Sequence, residues 1–355
     1  MLETGGIDCW GNDPNGELGD GSSGGFSRVP VGVVGITDAV AIAGTQAMAP
    51  NFCAVLATGG VDCWGNEDGV GALGNGSMDG QSAVAVPVTG VTDAVAISGN
   101  TSLGTAGYCA LLGSGGIDCW GDNGSGELGA GSSAPGSDVA LAVTGIGDAT
   151  SVRANGTGSD CALITDGTVA CWGNNSDGML GNDSTETQSN VPVPVSGVSE
   201  AQNLSIGGLY GFCAVVGSGA VDCWGAVPDE SAPLGPPAPI GGISDAVSVF
   251  GNTAFDSDCA VRRDATVACW GQDENEALGS GATGQISAAA IAVPGVTDVA
   301  SLISVPGGGT FCALRHDGTV ECWGFDNYGE LGDGTGGQLQ PPSATAVEVL
   351  TAPGI

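Results

Sequence analysis

The stretch that decides the fold is Cys161-Ala-Leu-Ile-Thr-Asp-Gly-Thr-Val-Ala-Cys171-Trp172-Gly173. Its midpoint is Asp166, and Thr165-Asp166-Gly167 fits a three-residue hairpin loop: a type I turn followed by a left-handed residue. Gly suits the third place because, without a Cβ, it accepts positive φ at no steric cost. Counting outward, Ile164 faces Thr168 in a hydrogen-bonded pair and Leu163 faces Val169. Ala162 then faces Ala170, and Cys161 faces Cys171. This last pair is non-hydrogen-bonded, where Cα atoms approach to ~4.5 Å, within disulfide range.

The same hairpin recurs along the chain. Cys-Trp-Gly begins at Cys9, Cys63, Cys119, Cys171, Cys223, Cys269 and Cys322, with spacings of 54, 56, 52, 52, 46 and 53 residues. Nine to eleven residues after each of these cysteines comes Leu-Gly: Leu18, Leu73, Leu128, Leu180, Leu234, Leu278 and Leu331. Every one except Cys9 has another cysteine ten residues before it. Cross-strand disulfides are therefore expected at Cys53/Cys63, Cys109/Cys119, Cys161/Cys171, Cys213/Cys223, Cys259/Cys269 and Cys312/Cys322, each worth up to ~3 kcal/mol. The alternative is reduced cysteines acting as small core residues. Zinc is a poor reading, with no Cys-x-x-Cys and a single His. Gly5, Gly59, Gly115, Gly219 and Gly318 take the place of Gly167 in other repeats. Only Ala265 breaks the rule, and strain is expected there.

A period near 52 suits a four-stranded unit repeated around an axis. In the second unit, Asp93–Gly99, Tyr108–Leu112, Ile117–Gly121 and Ala140–Val143 read as its strands, and helices are not expected anywhere. Met1 aligns with Val55, so the partner of Cys9 would fall two residues before Met1. Val347–Ile355 aligns with Val84–Val91, after which the next innermost strand does not follow. The expected organisation is one domain over residues 1–355: half a unit at 1–36, then six full units from about 37 to 355, as if cut from a longer product.

The pattern Cys-Ala-Leu-x-x-x-Gly-x-Val-x-Cys-Trp-Gly-x-Asn-x-x-Gly-x-Leu-Gly, clearest at Cys161–Gly181 and Cys312–Gly332, resembles the regulator-of-chromosome-condensation repeat. The resemblance covers essentially the whole chain. It implies an all-β fold, a seven-bladed β-propeller with one blade incomplete, and the cysteine-rich form is similar to a secreted bacterial branch. Eukaryotic members of the family include a nucleotide-exchange factor for a Ras-like GTPase, which also docks on chromatin through basic segments. Bacterial members include a secreted propeller that inhibits β-lactamases by covering their active site with one face. The shared theme is a rigid disc that binds proteins. The sequence after Trp224, Gly225-Ala-Val-Pro-Asp-Glu-Ser-Ala-Pro-Leu-Gly235, departs from the pattern, and a different loop shape is expected there.

Charge narrows the function. The chain carries 39 acidic residues against five arginines and no lysine, a formal charge of −34. That argues against nucleic acid, which requires a basic footprint, and against an anionic membrane surface. No apolar run approaches the ~20 residues of a membrane helix. Such charge maintains solubility, and added salt should stabilise the fold by screening self-repulsion. The 67 glycines, with few strong helix formers, agree with an all-β chain.

Asp38, Asp93, Asp148, Glu200, Asp245 and Asp298 recur just before each innermost strand. The functional reading is a rim of carboxylates that concentrates cations, with Ca²⁺ as the candidate ligand. The plainer reading is a turn residue at strand entry. The seven Trp residues read as packing between neighbouring units. Three Gly-x-Gly-x-x-Gly matches, such as Gly19–Gly24, open no helix and do not indicate nucleotide binding. Gly21-Ser-Ser-Gly-Gly25 lacks the strand–turn–helix setting of a nucleophile elbow. His316 reads as a solvated turn residue.

The expected function is a non-catalytic, extracellular or cell-surface propeller that binds or scaffolds proteins through one face, with no cofactor. Alternatives are an inhibitor of a secreted enzyme, a carboxylate-based hydrolase or lyase, and guanine-nucleotide exchange. The incomplete blade is expected to accept strands from another chain, with Cys9 unpaired.

Overall fold

The structure, a computed structural model, describes residues 1–45, 50–102, 104–207, 211–226, 235–252, 256–284, 286–305, 309–327, 329–334 and 341–350. It forms two compact units, one made mainly of residues 1–165 with 169–176 and 186–194, the other mainly of residues 195–355.

The first unit opens with a two-stranded sheet of β1 (Asp8–Asp13) and β2 (Gly25–Gly32). Three four-stranded antiparallel sheets follow. The first is β3 (Ala39–Gly44), β4 (Asn51–Leu56), β5 (Val61–Asn66) and β6 (Gln81–Pro87). The next is β7 (Ala94–Ser102), β8 (Thr105–Leu112), β9 (Ile117–Asp122) and β10 (Gly136–Ala142). The third is β11 (Ala149–Ala154), β12 (Ser159–Ile164), β13 (Val169–Asn174) and β14 (Gln188–Pro194).

The second unit repeats the plan three times. Its sheets are β15 (Ala201–Gly207), β16 (Gly211–Val216), β17 (Ala220–Gly225) and β18 (Gly235–Pro239); β19 (Ala246–Asn252), β20 (Ser257–Arg262), β21 (Val267–Gln272) and β22 (Ile286–Ala292); and β23 (Val299–Val305), β24 (Thr310–Arg315), β25 (Val320–Gly324) and β26 (Ser343–Glu348). In every sheet the strands pair in sequence order. One short 3-10 turn, Glu274–Glu276, is the exception to an otherwise helix-free reading among the described residues. The departure after Trp224 and Leu234 lie outside the described residues.

The hairpin register is the one counted from the sequence. Leu163 pairs with Val169, Ala162 with Ala170 and Cys161 with Cys171. Sulfurs are bonded in all six expected pairs, at 2.02–2.10 Å with Cα separations of 4.0–4.1 Å. The turn glycines have positive φ, 83° at Gly167, and Ala265 is held at 60°, in the left-handed region that disfavours a side chain. Strands of this sheet run longer than the sequence suggested: the innermost, β7, extends to Ser102 and the outermost, β10, begins at Gly136. The outer strands pair irregularly, with a register shift between Ser137 and Leu141.

The core lies between consecutive sheets within each unit. Cys and Trp point to opposite faces of the third strand, and both are buried in every four-stranded sheet. Trp120, for example, packs with Cys53, Val55, Cys63 and Leu73 of the preceding sheet.

Candidate functional site

The recurring Trp-Gly-x-Asn/Asp segment builds one end of the sheets that carry it. The side chain four residues after the cysteine accepts the backbone N–H of the leucine in Leu-Gly. Asp13 does so from Leu18, Glu67 reaches Leu73 by spanning one residue more, and Asn123, Asp273 and Asp326 hold Leu128, Leu278 and Leu331, all at 3.0–3.1 Å. This folds the loop so that a backbone carbonyl faces the next sheet. The indole N–H of Trp64 donates to Glu17 O at 2.9 Å, and those of Trp120, Trp172 and Trp323 donate to the carbonyls of Ala72, Glu127 and Ala277. Trp64, Trp120, Trp172 and Trp323 are therefore ties between sheets, as the sequence indicated, whereas Trp10, read the same way, is 65% exposed.

The opposite end carries the hairpin turns and the recurring acids. Each acid stitches two hairpins through its backbone. The carbonyl of Asp93 accepts the N–H of Gly113 in its own sheet, while the following N–H, of Ala94, donates to Gly59 O of the preceding hairpin. Asp38, Asp148, Glu200, Asp245 and Asp298 repeat the first contact with Ala57, Thr165, Gly217, Arg263 and His316. Glu200 and Asp298 have positive φ. The turn-residue reading thus has a physical account at all six positions. Asp245 is also paired with Arg262 at 2.9 Å, and Asp298 with His316 at 3.2 Å. His316 itself is an exposed turn residue. No group of three or more acidic, His or Cys side chains gathers to hold a metal among the described residues.

Sequence reasoning missed a second acid near this end, the residue before the cysteine. Burial pushes the Asp62 and Asp118 carboxyls up, and the charges of Asp38 and Asp93 push them further the same way. Asp222 is raised by burial. In the last sheet the same place holds Glu321, paired with Arg315 at 2.8 Å. Between the second and third four-stranded sheets this end opens into a shallow groove of about 480 Å³, lined by Val95, Leu111, Leu112, Asp148, Thr150 and Thr165 among others. Valine and leucine side chains share its lining with Ser114, Thr150, Thr165 and the Asp148 carboxylate.

A further cluster lies at the other end of β4; only its link to the Asn66 carbonyl recurs, as Ser159 to Asn174 O and Thr310 to Phe325 O. Asn51 accepts from the Tyr108 hydroxyl at 2.7 Å and from the Thr45 hydroxyl at 2.9 Å. Its amide donates to Asn66 O at 2.8 Å, and Asn66 in turn donates to Asp68 at 2.6 Å. Half-burial raises the Asp68 carboxyl to about 6, against the pull of the Asn66 hydrogen bond. Nearby in kind is Asp160, which accepts from the Asn100 amide at 3.0 Å. Complete burial holds its carboxyl well above the usual carboxylate range.

These sheets have known counterparts. The regulator of chromosome condensation (RCC1) repeat model matches residues 166–214. Prp20p of Saccharomyces cerevisiae, in a structure reported with its binding properties to Gsp1p and histones, superimposes with a TM-score of 0.73 at 16% identity, covering 99% of this chain and 87% of that one. A yeast Prp20 structure solved with Kap60 gives 0.71 at 16%, covering 98% and 84%. Human WBSCR16 gives 0.75 at 18%, covering 98% of this chain and 95% of its own. The fold is that of an RCC1-like seven-bladed propeller. The six four-stranded sheets are six blades, and β1 and β2 are the outer half of a seventh.

Proposed function

We propose that this RCC1-like chain is a non-catalytic protein-binding or scaffold module that works in an oxidising, extracellular or cell-surface setting. The observation that carries the reading is the uniform construction of the blades. One disulfide per full blade and one backbone stitch per recurring acid produce a stiff repeated surface. Disulfides persist outside reducing compartments. The fold's counterparts support binding rather than chemistry, since the yeast Prp20 structures concern Gsp1p, histones and Kap60.

The hairpin end of the first unit is the surface we favour, with its groove of mixed apolar and polar lining and the carboxylates of Asp93 and Asp148. Apolar side chains set among polar and charged ones are the usual anatomy of a protein contact. Its partner would present a basic rim around an apolar centre. The test is calorimetric titration of a secreted partner recovered on the immobilised chain, using the parent and an Asp93→Lys/Asp148→Lys variant. The expected result is a loss of affinity of about tenfold or more, with an unchanged melting temperature. Equal affinity for both forms would remove the hairpin end from consideration.

A further inference from the structure

In four blades the residue before the inner cysteine is aromatic. Phe52, Tyr108, Phe212 and Phe311 stack on the tryptophan of the same hairpin, with ring centroids 5.8–6.2 Å apart. In the blade of β11 to β14 that place holds Asp160, opposite Trp172. A carboxyl thus stands where the fold elsewhere puts a ring, and it is completely buried. No arginine or histidine pairs with it among the described residues. The charged group that faces it is Glu127, from the loop after β9, whose field repels a second negative charge. An ionised carboxylate in such a place is strongly disfavoured.

Asp160 reaches back to the preceding blade. The amide of Asn100, in β7, donates to its Oδ2 at 3.0 Å. Two oxygens then remain, Asp160 Oδ1 and Asn100 Oδ1, both buried and both without a hydrogen-bond partner among the described residues. Asn100 Oδ1 occupies the space over Gly107, 3.0 Å from where a Cβ on that residue would stand. Two acceptors cannot bond each other, but one hydrogen between them satisfies both. The neighbouring blade shows the same reach. From the same repeat position the Tyr108 hydroxyl donates to Asn51 Oδ1 at 2.7 Å, an O–H given to an asparagine carbonyl of the preceding blade.

We propose that Asp160 is a neutral carboxylic acid in the folded chain, donating its Oδ1–H to Asn100 Oδ1 while Asn100 donates to Oδ2, so that a reciprocal acid–amide pair makes the joint between these two blades proton-linked. Complete burial, which pushes this carboxyl well above the usual carboxylate range, agrees with that state. When the blades part, water reaches Asp160 and the acid ionises, so opening releases one proton. The joint is tightest in acid, below the usual Asp range, and weakens as pH rises. Each pH unit between that range and the raised folded value makes opening about tenfold more favourable, and the effect levels off once the carboxyl ionises in the closed state.

The test compares hydrogen exchange of the disulfide-intact parent with that of Asp160→Asn between pH 5 and 8. Asn keeps the shape and both hydrogen bonds, because its N–H replaces the acid O–H, and it does not titrate. Amides of β7 and β12 report the opening after correction for intrinsic exchange. The opening equilibrium of the parent should rise about tenfold more per pH unit than that of the variant; the other raised carboxyls are common to both and cancel. Infrared spectra at pH 7 should show a protonated-carboxyl band in the parent that the variant lacks. Asn100→Ala removes the acceptor and should move that band to higher frequency, a readout that does not depend on Asp160→Asn folding. Equal pH slopes, no difference band, or a band that Asn100→Ala leaves in place would overturn the proposal. So would Ca²⁺ that slows exchange in the parent but not in Asp160→Asn, because a cation would then bridge the two oxygens.

Discussion

Ile7-Asp-Cys-Trp-Gly-Asn12 and Val61-Asp-Cys-Trp-Gly-Asn66 differ at one position, yet they meet opposite fates. Cys63 is bonded and buried, and Trp64 is buried with its N–H on Glu17 O. Cys9 is a half-buried thiol, and Trp10 is 65% exposed. The motif alone does not create a core; the inner hairpin does, by covering one face of its third strand. Every quantity the motif supplies should therefore depend on which copy is altered.

The largest contrast is at tryptophan. Trp64→Ala should cost about 3–5 kcal/mol by the usual scale for a buried aromatic, and it also strands the Glu17 carbonyl. Trp10→Ala should change stability by less than about 0.5 kcal/mol, as for an exposed site. Denaturant unfolding of the two variants measures both, and equal losses would show that the half blade is packed in solution.

The next contrast is at sulfur. Replacing Cys53 and Cys63 together by Ser should cost up to ~3 kcal/mol for a loop of this length. Cys9→Ser should be near neutral. A melting-temperature drop for Cys9→Ser comparable to that of the double variant would mean that Cys9 is already engaged.

These contrasts mark what was legible. The hairpins, their register and the six disulfides follow from a fixed spacing of ten with glycine at the turn, because strand pairing is local. Packing of tryptophan between blades was also legible, since it recurs. The carbonyl each indole reaches was not, because it depends on a loop some 45–48 residues away. The cluster of Asn51, Tyr108 and Asp68 was invisible for the same reason: 57 residues separate Asn51 from Tyr108, and no other blade repeats the set. The recurring acids were seen, but their work is done by backbone groups that any residue possesses.

The nonrepeating cluster gives the third contrast, between pH values. With its carboxyl raised to about 6, Asp68 binds its proton more tightly in the folded chain than in the unfolded one. Stability should fall as pH rises from about 4 to 6 and stay lower above that. The full shift of about two units corresponds to ~3 kcal/mol, and solvent screening of a half-exposed group reduces this to about 1 kcal/mol. Asp68→Asn should therefore stabilise at pH 7–8 and be neutral below about pH 4. The raised carboxyls of Asp62, Asp118 and Asp160 act in the same direction. A parent chain more stable at pH 8 than at pH 5 would contradict all four.

The smallest contrast lies between two hairpin turns. Gly167 and Ala265 hold the same place, at φ of 83° and 60°. A Cβ at Gly167 would stand 2.9 Å from Glu200 Cα, so Gly167→Ala should destabilise through both crowding and backbone strain. At Ala265 the side chain is already accommodated and only the backbone cost remains, ~1–2 kcal/mol for a left-handed L-residue. Ala265→Gly relieves that cost but adds ~0.4–1 kcal/mol of unfolded-chain entropy. The net gain should be about 0.5 kcal/mol, readable as a small rise in denaturation midpoint with an unchanged slope. A loss would mean that the Ala265 methyl contributes packing that outweighs its strained backbone.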